Sequence, residues 1–310
     1  MNAVAEQPVR DAAVAADRRH FLGGSDAASV LGISPWKTPF QLWQQKTQPF
    51  DEVEVITPQK QRIFKRGHRM EPYVVDLLSE ETGLQITRRN QRYIDPEFPF
   101  LAAEIDAEAA TGENVEIKTV SPFKASEWGE MDTDAIPVHY TAQAQHGLMI
   151  TGAPVCVFGV LIGGDDFRVY RVERDDQVIA ALRQREVSFW RDYVETLTPP
   201  PAVNPDDLAR MFPKDIGTAV EATESALIAY NEIKALRPQL KELEARIEEH
   251  QDTLRAAMGP AARLLMDGQE IASWKTQSAT RFDQSAFKAA HPDLAALFMK
   301  TTESRVLRLK

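Results

Sequence analysis

Asp106, Glu116 and Lys118 have the types and spacing that can do chemistry. The last two lie in "GENVEIKTVSP", residues 112–122. Residues two apart on a strand share a face, so Glu116 and Lys118 point one way and Val115 and Ile117 the other. Asp106 closes "FLAAEID", ten positions before Glu116, with the turn "ATGEN" between them. If the two runs pair as strands, both carboxylates converge at one edge of a sheet. Two carboxylates there can hold a divalent cation, and the neighbouring ammonium can orient or deprotonate an attacking water. Mg²⁺ suits such a site because it prefers oxygen ligands, keeps several waters and bridges to phosphate oxygen.

Spacing alone leaves a second reading open, a structural ion pair. The tripeptide Glu-Ile-Lys recurs at Glu232, Ile233 and Lys234, where helical periodicity makes it an exposed face, so context must decide. The first copy lies among strand patterns, where a charge is costly unless paired or used. Glu104 shares a strand face with Asp106 and is a rival ligand. Glu71 lies beside basic residues in "RGHRMEPYVVDLL", and Tyr140 and Gln143 fall three apart on one helical face of "HYTAQAQHGL". Taken singly, each is an ordinary solvated acid or a satisfied polar group.

The elements that must position these residues follow from pattern. "LGGSDAASVLG" reads as a short helix with Ser25 as N-cap and Gly32 as its stop. "SPWKT" is a turn, and "PFQLWQQKT" a second helix with Pro39 in its first turn. Trp36 and Trp43 flank that turn and helix; packing is the commoner fate, and Trp36 could instead stack on an end base. Residues 58 to 82 form a long helix ending at Gly83, with Ile63, Met70, Val74, Leu77 and Leu78 as its buried stripe. "LQITRRNQRYI", "FPFLAAEIDAEA" and "NVEIKTV" read as strands. "IPVHYTAQAQHGLMITG" is a helix, "APVCVFGVLIGGDDFRVYRVER" a strand pair across a Gly-Gly-Asp-Asp turn, and "DQVIAALRQREVSFWRDYVETL" a closing helix.

The domain organisation expected is a polar lead-in over 1–17, an α/β unit over 18–198, a proline-rich linker over 199–218 and a helical and small α+β region over 219–310. In the last, Leu227, Ile233, Leu236, Leu240, Leu243, Ile247 and Leu254 fall close to a heptad seam, with Pro238 at a kink or break. Beyond it a hairpin turning at Asp267-Gly268, a short helix and a final strand "SRVLRLK" complete the chain. This third could pack on itself, self-associate or dock a partner.

No stretch has the roughly 20 apolar residues of a membrane span. The lone Cys156 sits in an apolar run, excludes an internal disulfide and favours a reducing, cytoplasmic setting. A net charge of −10 argues against an unspecific nucleic-acid coat. Its distribution is uneven. "KQRIFKRGHR" carries Lys60, Arg62, Lys65, Arg66 and Arg69 without an acid, compatible with a phosphate-bearing ligand or with a solvated helix face.

Five blocks in this order, "GGSDAASVLGISPWKTPFQLWQQKT", "RGHRMEP", "EIDA", "EIKTV" and "PVHYTAQAQHGLMITG", resemble the YqaJ-like phage recombination exonucleases. These are relatives of the lambda-type alkaline exonucleases within the PD-(D/E)xK nuclease superfamily. The resemblance covers about residues 18 to 197. It implies a restriction-endonuclease-like α/β core, a mixed central sheet flanked by helices. It also implies Mg²⁺-dependent hydrolysis of duplex DNA from a 5′ end, with Mn²⁺ able to substitute. The product would be a 3′ single strand for an annealing protein of a phage or prophage in a bacterial host. By the same resemblance Asp106 and Glu116 become metal ligands, Lys118 the catalytic lysine, Glu71 the supporting helix carboxylate and Gln143 the site glutamine. Ser25 and Arg19, with Arg18 as the alternative arginine, match the region that grips a terminal 5′ phosphate. Arg66 and Tyr140 join the expected DNA contacts. A toroidal trimer around DNA is the oligomer implied. Where the superfamily often shows Pro-Asp-Gly, this chain has Ile105, Asp106 and Ala107, so the local turn is expected to differ. Two rivals remain: a structure- or site-selective endonuclease on the same core, and a non-catalytic DNA-end scaffold.

Overall fold

The computed structural model describes residues 18–48, 57–301 and 303–309. The lead-in expected over residues 1–17 lies outside them. Two compact units divide the chain, one ending at Met211 and one beginning at Phe212.

The first unit is built on one mixed sheet in the order β1-β2-β3-β4-β5. Its strands are β1 Ile86–Ile94, β2 Ala102–Ala109, β3 Asn114–Val120, β4 Val155–Ile162 and β5 Asp166–Glu173. Neighbours pair antiparallel except β3 and β4, which run parallel from Asn114↔Cys156 to Val120↔Ile162. A parallel pair needs a crossover. Here it is α4, Val138–Thr151, ended by Gly152 at φ 76°, a backbone setting that glycine adopts without strain. The run "VCVFGVLI" of β4 is buried along almost its whole length, as a strand covered on both faces must be.

Helices cover the two faces. On one lies α3, Pro58–Thr82, whose Val74, Val75 and Leu78 pack on Ala107, Val115, Ile117, Val157 and Leu161. On the other lie α1 (Gly24–Val30), α2 (Pro39–Thr47), α4 and α5 (Asp176–Phe189), around Leu22, Phe40, Trp43, Leu148, Phe158 and Tyr170. This is an α/β architecture, a mixed five-stranded sheet flanked by helices on both faces. The short α6, Pro205–Met211, is anchored to the first turn of α2, where Asp207 accepts from Thr38 Oγ1 at 2.8 Å.

Three local expectations change. Only the C-terminal half of α3 reaches the core, and Ile63, expected in its stripe, is exposed because the preceding turns project past the sheet. Helix α1 begins before Ser25: its N-cap is Gly23, whose N–H donates to Asp26 Oδ2 at 3.2 Å, so an acid at the third helical position does the capping. No strand forms over 303–309; an isolated apolar run becomes a strand only where a sheet edge receives it.

In the second unit α7, Glu224–Met258, runs unbroken through Pro238, and Leu227 falls one position off the seam. The hairpin β6 (Arg263–Met266) and β7 (Gln269–Ser273) turns at Asp267 (φ 50°) and Gly268 (φ 82°), followed by α8 (Gln284–Ala290) and α9 (Pro292–Leu297).

Candidate active site

The site opens where two strands part. The β2–β3 ladder ends with Ala107 opposite Val115. One step further along that register Asp106 would face Glu116. Instead the Asp106 carboxylate crosses the gap, and its Oδ2 accepts the Ile117 N–H at 2.8 Å. A side chain thus satisfies a main-chain donor that the ladder has released. β3 meanwhile stays fixed along its other edge by β4.

Glu116, buried, points to the α4 side, as the alternation of β3 requires. Its Oε1 accepts from Gln143 Nε2 at 2.5 Å and also from Lys118 Nζ. The Lys118 ammonium lies 5.0 Å from the centre of the Tyr140 ring, a cation–π distance. Gln143 is held closely. A Cβ on Gly24 of α1 would stand 3.2 Å from Gln143 Cγ, so this close approach of α1 to α4 depends on glycine.

Glu71 on α3 joins the same electrostatic group. Burial first, and Asp106 second, raise its carboxyl above the usual range. Burial likewise raises Asp106, against the pull of Lys118 and of the Ile117 amide. Glu116 is pushed up to about 7, by burial and then by Asp106, in spite of Lys118 and Gln143. For Lys118 burial works against the charge, but Glu116 and Asp106 outweigh it and hold the ammonium above its ordinary range. Three acids therefore meet one lysine, with His68 3.7 Å from Glu71, and the cluster carries excess negative charge whenever its carboxyls are ionised.

That imbalance is a test of whether a divalent cation fits. Among the described residues no group of three or more His, Cys, Asp or Glu side chains is arranged to hold a metal. Asp106 and Glu116 are the two carboxylates of the cluster that lie on neighbouring strands. Mg²⁺ commonly binds through one or two carboxylates, and a cluster with more acids than cations fits it.

At the start of α1 Arg18, rather than Arg19, meets Ser25: its Nη1 lies 3.4 Å from Ser25 Oγ and its Nη2 donates to Glu104 Oε2 at 2.5 Å. Glu104 is thereby paired with Arg18, although its charge still adds to the upward shift of Asp106. Arg19 Nε is buried without a hydrogen-bond partner. Arg66 lies on the exposed half of α3, next to Gly67, where a Cβ would come 3.7 Å from Thr119 Oγ1 of β3. The basic half of α3 therefore passes over the end of the strand that carries Glu116 and Lys118. Trp36, exposed, stands edge-on to His139 at 4.6 Å and tilted against Tyr140 at 5.8 Å, so an aromatic group adjoins Lys118.

Two buried ion pairs behind the site have no signature in sequence spacing. Lys46 Nζ donates to Asp26 Oδ2 at 2.7 Å and to the carbonyls of Phe21 and Arg18 at 2.6 and 2.8 Å. Burial opposes ionisation of Asp26, but Lys46 and Lys37 overcome it and hold the carboxyl well below its usual range. His146, fully buried, has Nδ1 2.9 Å from Glu186 Oε1 and Nε2 2.9 Å from the Ala102 carbonyl. With Glu186 ionised both partners are acceptors, an arrangement that favours the doubly protonated imidazole. Burial works against that charge, and Glu186 outweighs it to raise the His146 pKa. A histidine inside "AQAQHGLMI" reads as core, and only the fold brings Glu186 to it.

Several known proteins are similar to this chain. Uncharacterized protein YqaJ of Bacillus subtilis (strain 168) is 29% identical over 304 residues, spanning 95% of this chain and 92% of that relative. An alkaline exonuclease from Laribacter hongkongensis is 20% identical, over 63% of this chain and 95% of its own, with a TM-score of 0.46. A phage related exonuclease from Haemophilus somnus 129PT is 12% identical, over 57% and 95% respectively, with a TM-score of 0.44. Residues 15–154 match the family model of the YqaJ-like viral recombinase domain, the stretch that contains Asp106, Glu116, Lys118, Glu71 and Gln143.

Proposed function

We propose that the chain is a Mg²⁺-dependent deoxyribonuclease that degrades linear duplex DNA from 5′ ends and leaves 3′ single strands for a strand-annealing partner. The observation that carries this reading is the Asp106–Glu116–Lys118 cluster at the parting of β2 and β3, held by Gln143 and carrying excess negative charge.

Asp106 and Glu116 would hold the ion. When bound, it would supply positive charge at the scissile phosphate and favour ionisation of a coordinated water. Lys118 is held as an ammonium, so it orients the attacking water and offsets charge on the pentavalent transition state rather than taking a proton. Gln143 fixes Glu116, and through it Lys118, in one rotamer. Glu71 adds negative charge behind Asp106 and draws the cation toward the cluster. Tyr140 closes one side of the Lys118 ammonium. The exposed basic half of α3, with Arg62, Arg66 and Arg69, tracks the phosphodiester backbone, and Arg18 with Ser25 receives a terminal phosphate.

Linear duplex labelled at either end, with and without a 5′ phosphate, is the deciding substrate. Loss of the 5′ label first, in Mg²⁺ and not in chelator, with covalently closed circles intact, is the expected result. Cutting of closed circles would move the assignment to an endonuclease. Binding of ends without metal-dependent cleavage would leave a scaffold.

A further inference from the structure

We propose that the second unit joins two copies of this chain through a parallel, in-register coiled coil of α7. The proposal stands on the second unit alone and does not depend on the nuclease reading.

The helix shows an unbroken heptad over 226–257. Ala226, Ile233, Leu240, Ile247 and Leu254 occupy one core position of the repeat, and Ala229, Leu236, Leu243, His250 and Ala257 the other. At about 1.5 Å per residue this seam is on the order of 48 Å long. It is bare: Leu236 is 54% exposed, Leu240 58%, Leu243 52% and Ile247 55%. Of the described residues beyond Phe212, Met258 is the one that is buried, so the unit has no core of its own. A long helix and a two-stranded hairpin without a core need a partner surface to stay folded in water.

Three features select a second copy of the same helix as that surface. A regular heptad is self-complementary, whereas an α-helix docking on a globular face needs a broader, irregular apolar stripe. One core position carries Ile233 and Ile247 alternating with Leu240 and Leu254, and the other carries Leu236 and Leu243; the isoleucines at the first and leucines at the second favour two parallel strands. In that arrangement Glu232 flanks the seam opposite Arg237 of the second copy, and the symmetry makes the attractive pair twice. Pro238, which removes an amide donor, falls at the outermost position of the heptad and meets solvent, not the second helix. His250 is the one polar core position of the seam and costs stability there, as register-setting polar residues do.

Sedimentation equilibrium of the full chain at tens of micromolar tests this. The parental chain should have twice the monomer mass, and Leu236→Lys with Leu243→Lys should return it to monomer. Glu232→Arg should weaken association roughly tenfold, by turning two attractive pairs into repulsive ones. Adding Arg237→Glu should restore it, which keeps the test decisive if the Leu substitutions unfold the helix. A monomeric parental chain overturns the proposal. So does an oligomer whose mass ignores the seam substitutions, whether a ring made by the first unit or another assembly. Failure of the charge swap to rescue association overturns the parallel, in-register arrangement.

Discussion

Two sets of buried charges in the first unit are built to opposite rules. Behind the sheet, Asp26 meets Lys46 and His146 meets Glu186; each anion has its cation, and the remaining donors reach the carbonyls of Phe21, Arg18 and Ala102. At the parting of β2 and β3, Asp106, Glu116 and Glu71 share Lys118. The first set is complete without a ligand and ties α1 to α2 and α4 to α5. The second has more acids than cations. A fold tolerates that imbalance where something else gains from it, and excess charge in a partly covered cluster marks a candidate site better than the shift of any single group.

The contrast can be broken in several ways. Lys118→Ala should lower the cleavage rate by at least about 10³-fold, roughly 4 kcal/mol of transition-state stabilisation, while the affinity for a linear duplex stays near the parental value. Cleavage at the parental rate would remove Lys118 from the chemistry. In the balanced set, Glu186→Ala leaves a buried imidazolium alone and should destabilise the first unit by about 3–5 kcal/mol in denaturant titrations. A loss below about 1 kcal/mol would mean that the pair contributes little.

Asp106→Asn sharpens the comparison because its two effects have opposite signs. The amide oxygen can still accept the Ile117 N–H, and one surplus negative charge disappears. Metal-free stability should rise by about 1 kcal/mol, measured in chelator, while Mg²⁺-dependent cleavage is lost. A variant destabilised in chelator would mean that the cluster is not overcharged.

His146 gives the pH dependence. Its pKa is raised in the folded state because Glu186 outweighs burial, so its contribution is fully present below the ordinary value of 6.5 and is lost as pH rises through the folded value. Melting temperatures between pH 6 and 9.5 should fall in the parental chain, and His146→Gln should flatten that slope. A steeper slope in the variant would reverse the assignment. The smallest effect expected is from Gly24→Ala. Its methyl must push Gln143 by a few tenths of an ångström, and a several-fold loss of rate with unchanged melting temperature is the outcome to look for.

Much of the frame was legible in the chain. Period-two and helical patterns, with Gly83 and Gly152 as stops, placed α3, α4 and all five strands of the main sheet, because capping and alternation are local rules. Where those rules misled, the cause was non-local. Ile63 fits the stripe of α3, but the sheet does not extend beneath it. The run 303–309 has strand composition and no edge to join. Ser25 is a good N-cap type, yet Asp26 captured the Gly23 amide first.

For the candidate site, residue types and spacing pointed to Asp106, Glu116 and Lys118, since hard-cation chemistry needs carboxylates and a strand sets their faces, whereas Glu71 and Gln143 entered only through the family resemblance of the ordered blocks. Tertiary structure alone decided how they meet. It parted β2 from β3 so that Asp106 bonds to Ile117, brought α4 across to place Gln143 on Glu116, and set Arg18 instead of Arg19 against Ser25. It also matched Asp26 with Lys46 and His146 with Glu186. Periodicity is a property of neighbours along the chain, whereas charge balance is a property of neighbours in space, and the second becomes visible only after the chain has folded.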